Sequence, residues 1–209
     1  MNKARPLSLA VMAAVLASTT LSACAPIIVG GAVAGTLAAS DRRTLGAQTE
    51  DKSIVVKAEV KMPNIAGNSA HVNVNSFNRR VLLTGEVPDD ETKAKVEREV
   101  RAIDGVLNVT NELEVGFSSS YTSRSNDALI TSKVKLSLAD AKDISANSFK
   151  VVTEKGAVFL MGRVTQREGA QAADIARGVA GVTKVVKVFE YITEDDVKQY
   201  QPSQQASQG

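Results

Sequence analysis

The 209-residue sequence predicts an α+β fold made of two copies of one αββαβ unit, and three observations carry that prediction. The chain repeats itself: "VLLTGEVPDDETKAKVEREVRAIDGVLNVTNELEV" aligns with "VFLMGRVTQREGAQAADIARGVAGVTKVVKVFEYI". Val81, Leu83, Gly85 and Val87 then fall on Val158, Leu160, Gly162 and Val164. After a one-residue gap, Val100, Ile103, Gly105, Val106, Val109 and Leu113 fall on Ala176, Val179, Gly181, Val182, Val185 and Phe189. Upstream, Ile54, Ala58 and Val60 fall on Ile130, Val134 and Leu136, so one structural unit is used twice. Each unit also reads as helix, strand, strand, helix, strand by its apolar spacing. Finally, hydrophobic residues make up 44% but aromatics only 4%, so each core must be aliphatic.

The elements follow in order. Lys3 and Arg5 precede an apolar run, Leu7 to Leu16, which is too short to span a bilayer. That is the layout of a secretory leader over residues 1–23. Leu21-Ser22-Ala23-Cys24 resembles a lipobox, and its cysteine is the only one in the chain, so it has no partner for an internal disulfide. The resemblance implies diacylglyceryl transfer to the Cys24 thiol, cleavage before it, and acylation of the new amino terminus, with palmitate as the chain to label. At about 0.8 kcal/mol per buried methylene, three chains would make the attachment effectively permanent. Residue 25 is Ala rather than the Asp that marks inner-membrane retention, which favours the outer membrane, facing the periplasm.

Residues 24–49 read as a flexible tether: "IIVGGAVAGTLAA" is too short to span, and its glycines weaken a helix. Arg42 and Arg43, in its polar end, read as solvated linker arginines, with contact to lipid headgroups as the alternative. The first unit covers residues 50–115, and a Ser-rich linker covers 116–125. In the second unit, residues 126–192, Asn126 or Asp127 can cap a helix running to about Ala139. "SFKVVTEKGAVFLMGRV" gives two strands around a Glu154-Lys155-Gly156 turn. "QREGAQAADIARGVA" is a helix with small residues on its inner face and Gly181 as its end, and "VTKVVKVFEYI" is the last strand. The polar tail, residues 193–209, is expected to be disordered.

The order of elements and the "hydrophobic-x-Gly-x-Val … Gly-Val-x-x-Val" pattern resemble the BON domain, a bacterial module of about this size. Two such domains behind a lipobox resemble the dual-BON outer-membrane lipoproteins. The resemblance implies two helices packed on a three-stranded mixed sheet in each domain. It also implies binding of anionic phospholipid, such as phosphatidylglycerol or cardiolipin, through the second domain, and a role in envelope integrity and cell division.

Little in the chain suits catalysis. HExxH, CxxC, GxSxG and P-loop patterns are absent, and a single His and a single Cys leave almost no zinc ligands. No cofactor is expected, nor nucleic acid as a partner. His71 alternates with Val72 and Val74 on a strand and reads as solvent-facing. Charge separates the repeats: residues 51–115 hold nine Lys and Arg against eleven Asp and Glu, net −2, and residues 127–192 hold ten against seven, net +3. An anionic membrane attracts nearby basic residues by about 1 kcal/mol each, so the second repeat suits such a surface.

The opening helix of the second unit narrows the site. At about 100° per residue, Ile130, Val134, Leu138 and Ala141 form the stripe that should face the sheet. Leu129 and Leu136 lie off that stripe with Lys133 near their line, and the first unit has Ser53 in place of Leu129. Exposed aliphatics beside a Lys suit an interfacial helix, or else they pack against the other domain or the linker. The resemblance favours lipid and implies a contact made by Ala128, Leu129, Ser132, Lys133 and Leu136. A rival expectation is a protein-interaction module that docks its acidic first repeat on an envelope protein or a cell-wall hydrolase regulator.

Overall fold

A computed structural model describes residues 41–67 and 70–200. Helix α1 (Leu45–Ala66) is capped by Thr44, whose side chain accepts from the Ala47 N–H, and it buries Asp51, Ile54, Ala58, Met62 and Ala66. The hairpin β1 (His71–Phe77) and β2 (Arg80–Val87) pairs antiparallel from His71↔Glu86 to Phe77↔Arg80. Helix α2 (Asp90–Arg101) crosses back, and β3 (Asn108–Asn111) and β4 (Glu114–Val115) then run parallel to β2. The second repeat copies this plan with α3 (Tyr121–Asp140), β5 (Phe149–Glu154), β6 (Ala157–Val164), α4 (Gln166–Arg177) and β7 (Lys184–Tyr191). β5 and β6 are antiparallel and β6 and β7 parallel, so both sheets are mixed and the predicted αββαβ order holds in each repeat.

β2 and β6 contain the unbroken apolar runs Val81-Leu82-Leu83 and Val158-Phe159-Leu160-Met161, a pattern suited to strands buried on both faces. One face carries the helices. Val81, Leu83 and Val87 pack with Ile54, Ala58, Val96 and Val100, and Val158, Leu160 and Val164 pack with Ile130, Val134, Ala172 and Ala176. On the other face Phe77 and Leu82 meet Phe159 and Met161. The two sheets therefore lie face to face, with a helix layer outside each. Polar bonds rim this seam: Lys155 Nζ lies 2.9 Å from Glu86 Oε1, and Asn73 Nδ2 donates to Glu154 Oε2 at 2.8 Å.

Both hairpins turn through two residues with positive φ, Asn78 (49°) and Arg79 (65°) in the first, Lys155 (47°) and Gly156 (76°) in the second. Such turns match the twist of the strands but leave their central N–H groups pointing outward. A buried aspartate from the preceding helix satisfies them. Asp51 accepts from the N–H groups of Asn78 at 2.8 Å and Arg79 at 2.7 Å, and Asp127 accepts from Lys155 at 2.9 Å and Gly156 at 2.8 Å. Asp127 is thus a turn clamp within α3 rather than its cap.

Four segments differ from the sequence reading. Of the tether expected over residues 24–49, residues 24–40 lie outside the described residues and residues 41–49 are folded: Arg42 is buried in a two-pronged bond to Glu168, both arms 2.7 Å, and α1 starts at Leu45. Helix α3 begins at Tyr121, inside the expected linker, because Ser120 caps it by accepting from the Ser123 N–H. The expected disordered tail begins with a helix, α5 (Glu194–Tyr200), whose Thr193 and Asp196 bond reciprocally and whose Val197 is buried; residues 201–209 lie outside the described residues. Helix α4 ends at Gly178, not Gly181, and Gly181 instead takes φ +98° in the following turn.

Gly85 and Gly162 sit within β2 and β6. A Cβ on Gly85 would lie 2.0 Å from the His71 carbonyl oxygen, at φ +111°, and one on Gly162 would lie 2.5 Å from the Ser148 carbonyl oxygen. Changing either to Val is expected to lower stability by about 1–3 kcal/mol. Denaturant midpoints of the whole chain check this, and unchanged midpoints would contradict it.

Candidate functional site

Helix α3 supplies the candidate surface. Its inner stripe, Asp127, Ile130, Val134 and Leu138, is buried against the sheet at spacings of three and four residues. Roughly opposite, at the i, i+3, i+4, i+7 spacing of one helix face, stand Leu129, Ser132, Lys133 and Leu136. Leu129 is 61% exposed and Leu136 67%, and Ser132 and Lys133 are exposed between them. Among the described residues neither leucine is packed away against the first domain or the 116–120 segment. The Ser132 hydroxyl donates to the Ala128 carbonyl at 2.9 Å, so it is engaged by its own helix. Ala128 is exposed on the flank, where α3 borders a groove of about 440 Å³ at the seam with β1 and β5. Cys24 lies outside the described residues.

The face can do two things physically. Two leucine side chains about two turns apart offer aliphatic surface to an apolar medium, each gaining up to about 1.5–3 kcal/mol on full burial. Lys133 between them carries an ammonium on a long apolar stem that can lie along an apolar boundary while its charge reaches an anionic group. Lys135 and Lys142, both exposed, add positive charge on the same domain.

The first domain presents a related face that comparison of position 53 alone did not reveal. On α1, Val56 is 58% exposed and Val60 73%, with Lys57 exposed between them. Ser53 stands where α3 has Leu129, so the α1 face lacks the leading aliphatic. The alignment of Val60 with Leu136 was the signal that could have found it.

His71 does not face open solvent. It is half-buried at the seam between the sheets, with its Nε2 3.1 Å from Asn73 Nδ2. Nearby, burial pushes the Glu154 carboxyl above its ordinary range, and the Asn73 bond offsets part of that rise. Burial would raise Glu86 as well, but the Lys155 ammonium and the Ser119 N–H hold it below the ordinary range. These groups are committed to one another across the seam. Among the described residues no three His, Cys, Asp or Glu side chains group as a metal site requires.

The BON domain family matches residues 53–116 and 126–193. The chain is 37% identical over 178 residues to the outer membrane lipoprotein DolP of Haemophilus influenzae, covering 84% of this chain and 92% of that one. It is 31% identical to a 21 kDa hemolysin of Actinobacillus pleuropneumoniae, covering 73% of this chain and 79% of that one. It is 39% identical to the osmotically-inducible protein Y of Escherichia coli, over 73% of this chain and 78% of that one. None of the three carries an enzyme's name.

Proposed function

Because the chain belongs to the BON-domain family, with two copies of the domain, we propose that it is a non-catalytic outer-membrane lipoprotein whose second domain binds anionic phospholipid. In this reading acylated Cys24 anchors it facing the periplasm, and the outer face of α3 meets the bilayer through Ala128, Leu129, Ser132, Lys133 and Leu136. Phosphatidylglycerol and cardiolipin are the lipids it suits, and envelope integrity and cell division are the processes it supports. The observation that carries the reading is the exposed Leu129–Lys133–Leu136 face on the more basic of two repeats. Similarity to a protein named as an outer membrane lipoprotein supports the location.

Two measurements test it. Replacing Cys24 with Ala should abolish palmitate incorporation, and equal labelling of the variant would end the anchor assignment. The unacylated fragment from residue 25 should co-sediment with phosphatidylglycerol vesicles and not with zwitterionic ones. Indifference to lipid charge would favour the other reading, in which the acidic first domain, net −2, docks on an envelope protein.

A further inference from the structure

The chain order places the first domain nearer the expected anchor, but the fold fastens the incoming segment to the second domain. Arg42, only 5% exposed, grips Glu168 at the start of α4 with both Nη atoms and donates to the Arg163 carbonyl at 3.0 Å. Arg163 returns the bond, its Nη1 donating to the Arg42 carbonyl at 3.2 Å. The next residue turns the other way. Arg43 donates to Asp51 at 2.8 Å and lies 4.1 Å from the centre of the Phe77 ring, both in the first domain. Two consecutive arginines therefore clasp the two domains. Arg42 also borders a groove of about 470 Å³ with Lys142, Ile144, Arg167 and Val197. Lys142 follows the C-terminus of α3 by two residues, so the incoming segment docks beside that end of α3.

We propose that Arg42 is a positioning residue: by fastening the tether to the second domain, it makes that domain stand next to the membrane anchor and holds the outer face of α3 at the bilayer. This rests on the reading of Cys24 as the anchor and of α3 as the lipid contact. Sixteen residues lie between Cys24 and Asp41. If that stretch is the flexible tether expected from its sequence, its r.m.s. span is roughly 20–25 Å. That is shorter than α3 itself, about 30 Å for its twenty residues. The point where the tether leaves the fold therefore biases which face meets the membrane. Released from Glu168, the tether would instead begin at α1, and the helix layers of the two domains lie on opposite sides of the molecule.

Glu168→Gln tests the clasp while keeping a carbonyl acceptor for the Thr165 N–H that Glu168 now receives at 2.9 Å. Trypsin cuts after arginine, and a buried ion pair should protect Arg42 and Arg43 from it. The variant should be cut there at least about tenfold faster than wild type, since cleavage follows the population of the locally opened form. Arg42→Gln, which keeps only the site after Arg43, should be cut faster at that site. The membrane readout uses the acylated chain in phosphatidylglycerol vesicles, with an environment-sensitive fluorophore at Ser125→Cys, an exposed position one turn ahead of Leu129 on the same side of α3 and not itself one of the proposed contacts. The label should move to a more polar environment in both clasp variants. The unacylated fragment should bind the same vesicles equally well with or without the clasp. Equal trypsin rates, or an unchanged label environment despite faster cutting, would overturn the proposal. A wild-type fragment that ignores anionic vesicles would overturn the α3 reading, and the positioning role with it, whatever trypsin reports.

Discussion

Asp51→Ala is expected to cost the chain about 3–5 kcal/mol, the range for removing one partner of a buried charged network. The carboxylate accepts from Ser76 Oγ at 2.6 Å, from the N–H groups of Asn78 and Arg79, and from Arg43 at 2.8 Å. Removing it leaves two turn N–H groups and a half-buried guanidinium short of a partner. It also leaves Arg79, a non-glycine residue at φ 65°, without the bond that helps hold it there. The equivalent change, Asp127→Ala, removes two turn bonds, to Lys155 and to Gly156, whose φ of 76° suits glycine. It should cost less, about 1–3 kcal/mol. Denaturant midpoints give the comparison, and hydrogen exchange at the Asn78 and Arg79 amides localises it. A midpoint less affected by Asp51→Ala than by Asp127→Ala would contradict the clamp assignment.

Leu129→Glu should weaken binding to anionic vesicles by at least about tenfold. It removes much of one leucine's insertion, worth up to about 1.5–3 kcal/mol. It also places a carboxylate against a surface that repels it, by about 1 kcal/mol. Because Leu129 is 61% exposed, circular dichroism and the denaturant midpoint should stay where they are. Removing Lys133 alone should cost about 1 kcal/mol, or about fivefold, and should flatten the dependence on salt. Ser53→Glu, at the matching place on α1, should matter far less. Wild-type binding by Leu129→Glu would remove α3 from the contact and move the protein-docking reading forward.

The repeat made the fold legible. Once Gly85 fell on Gly162 and Ile54 on Ile130, each unit constrained the other, and the strand order followed. Two-sided burial of β2 and β6 was also written in Leu82, Phe159 and Met161, which interrupt the alternation expected of a strand with one wet face. Other features were hidden for physical reasons. Arg42 and Glu168 are 126 positions apart, and no local pattern distinguishes an arginine that finds a buried carboxylate from a solvated one. Ser120 was read as linker because the residues that cap helices are also those that fill linkers. The tail helix depends on a four-residue cap at Thr193–Asp196 and a single buried Val197, too short a signal to outweigh a polar composition. At the candidate site the inward stripe of α3 was readable from spacing; on α1 the alignment with Leu136 pointed to Val60, whereas Val56, which falls on Ser132, needed the folded chain.

That pair of related faces sets the decisive comparison. Vesicles of phosphatidylglycerol carrying a spin-labelled lipid should broaden the amide resonances of residues 128–136 in the unacylated fragment and leave those of residues 52–60 sharp. Broadening confined to Val56, Lys57 and Val60, or spread equally over α1 and α3, would contradict the assignment of lipid recognition to the second domain.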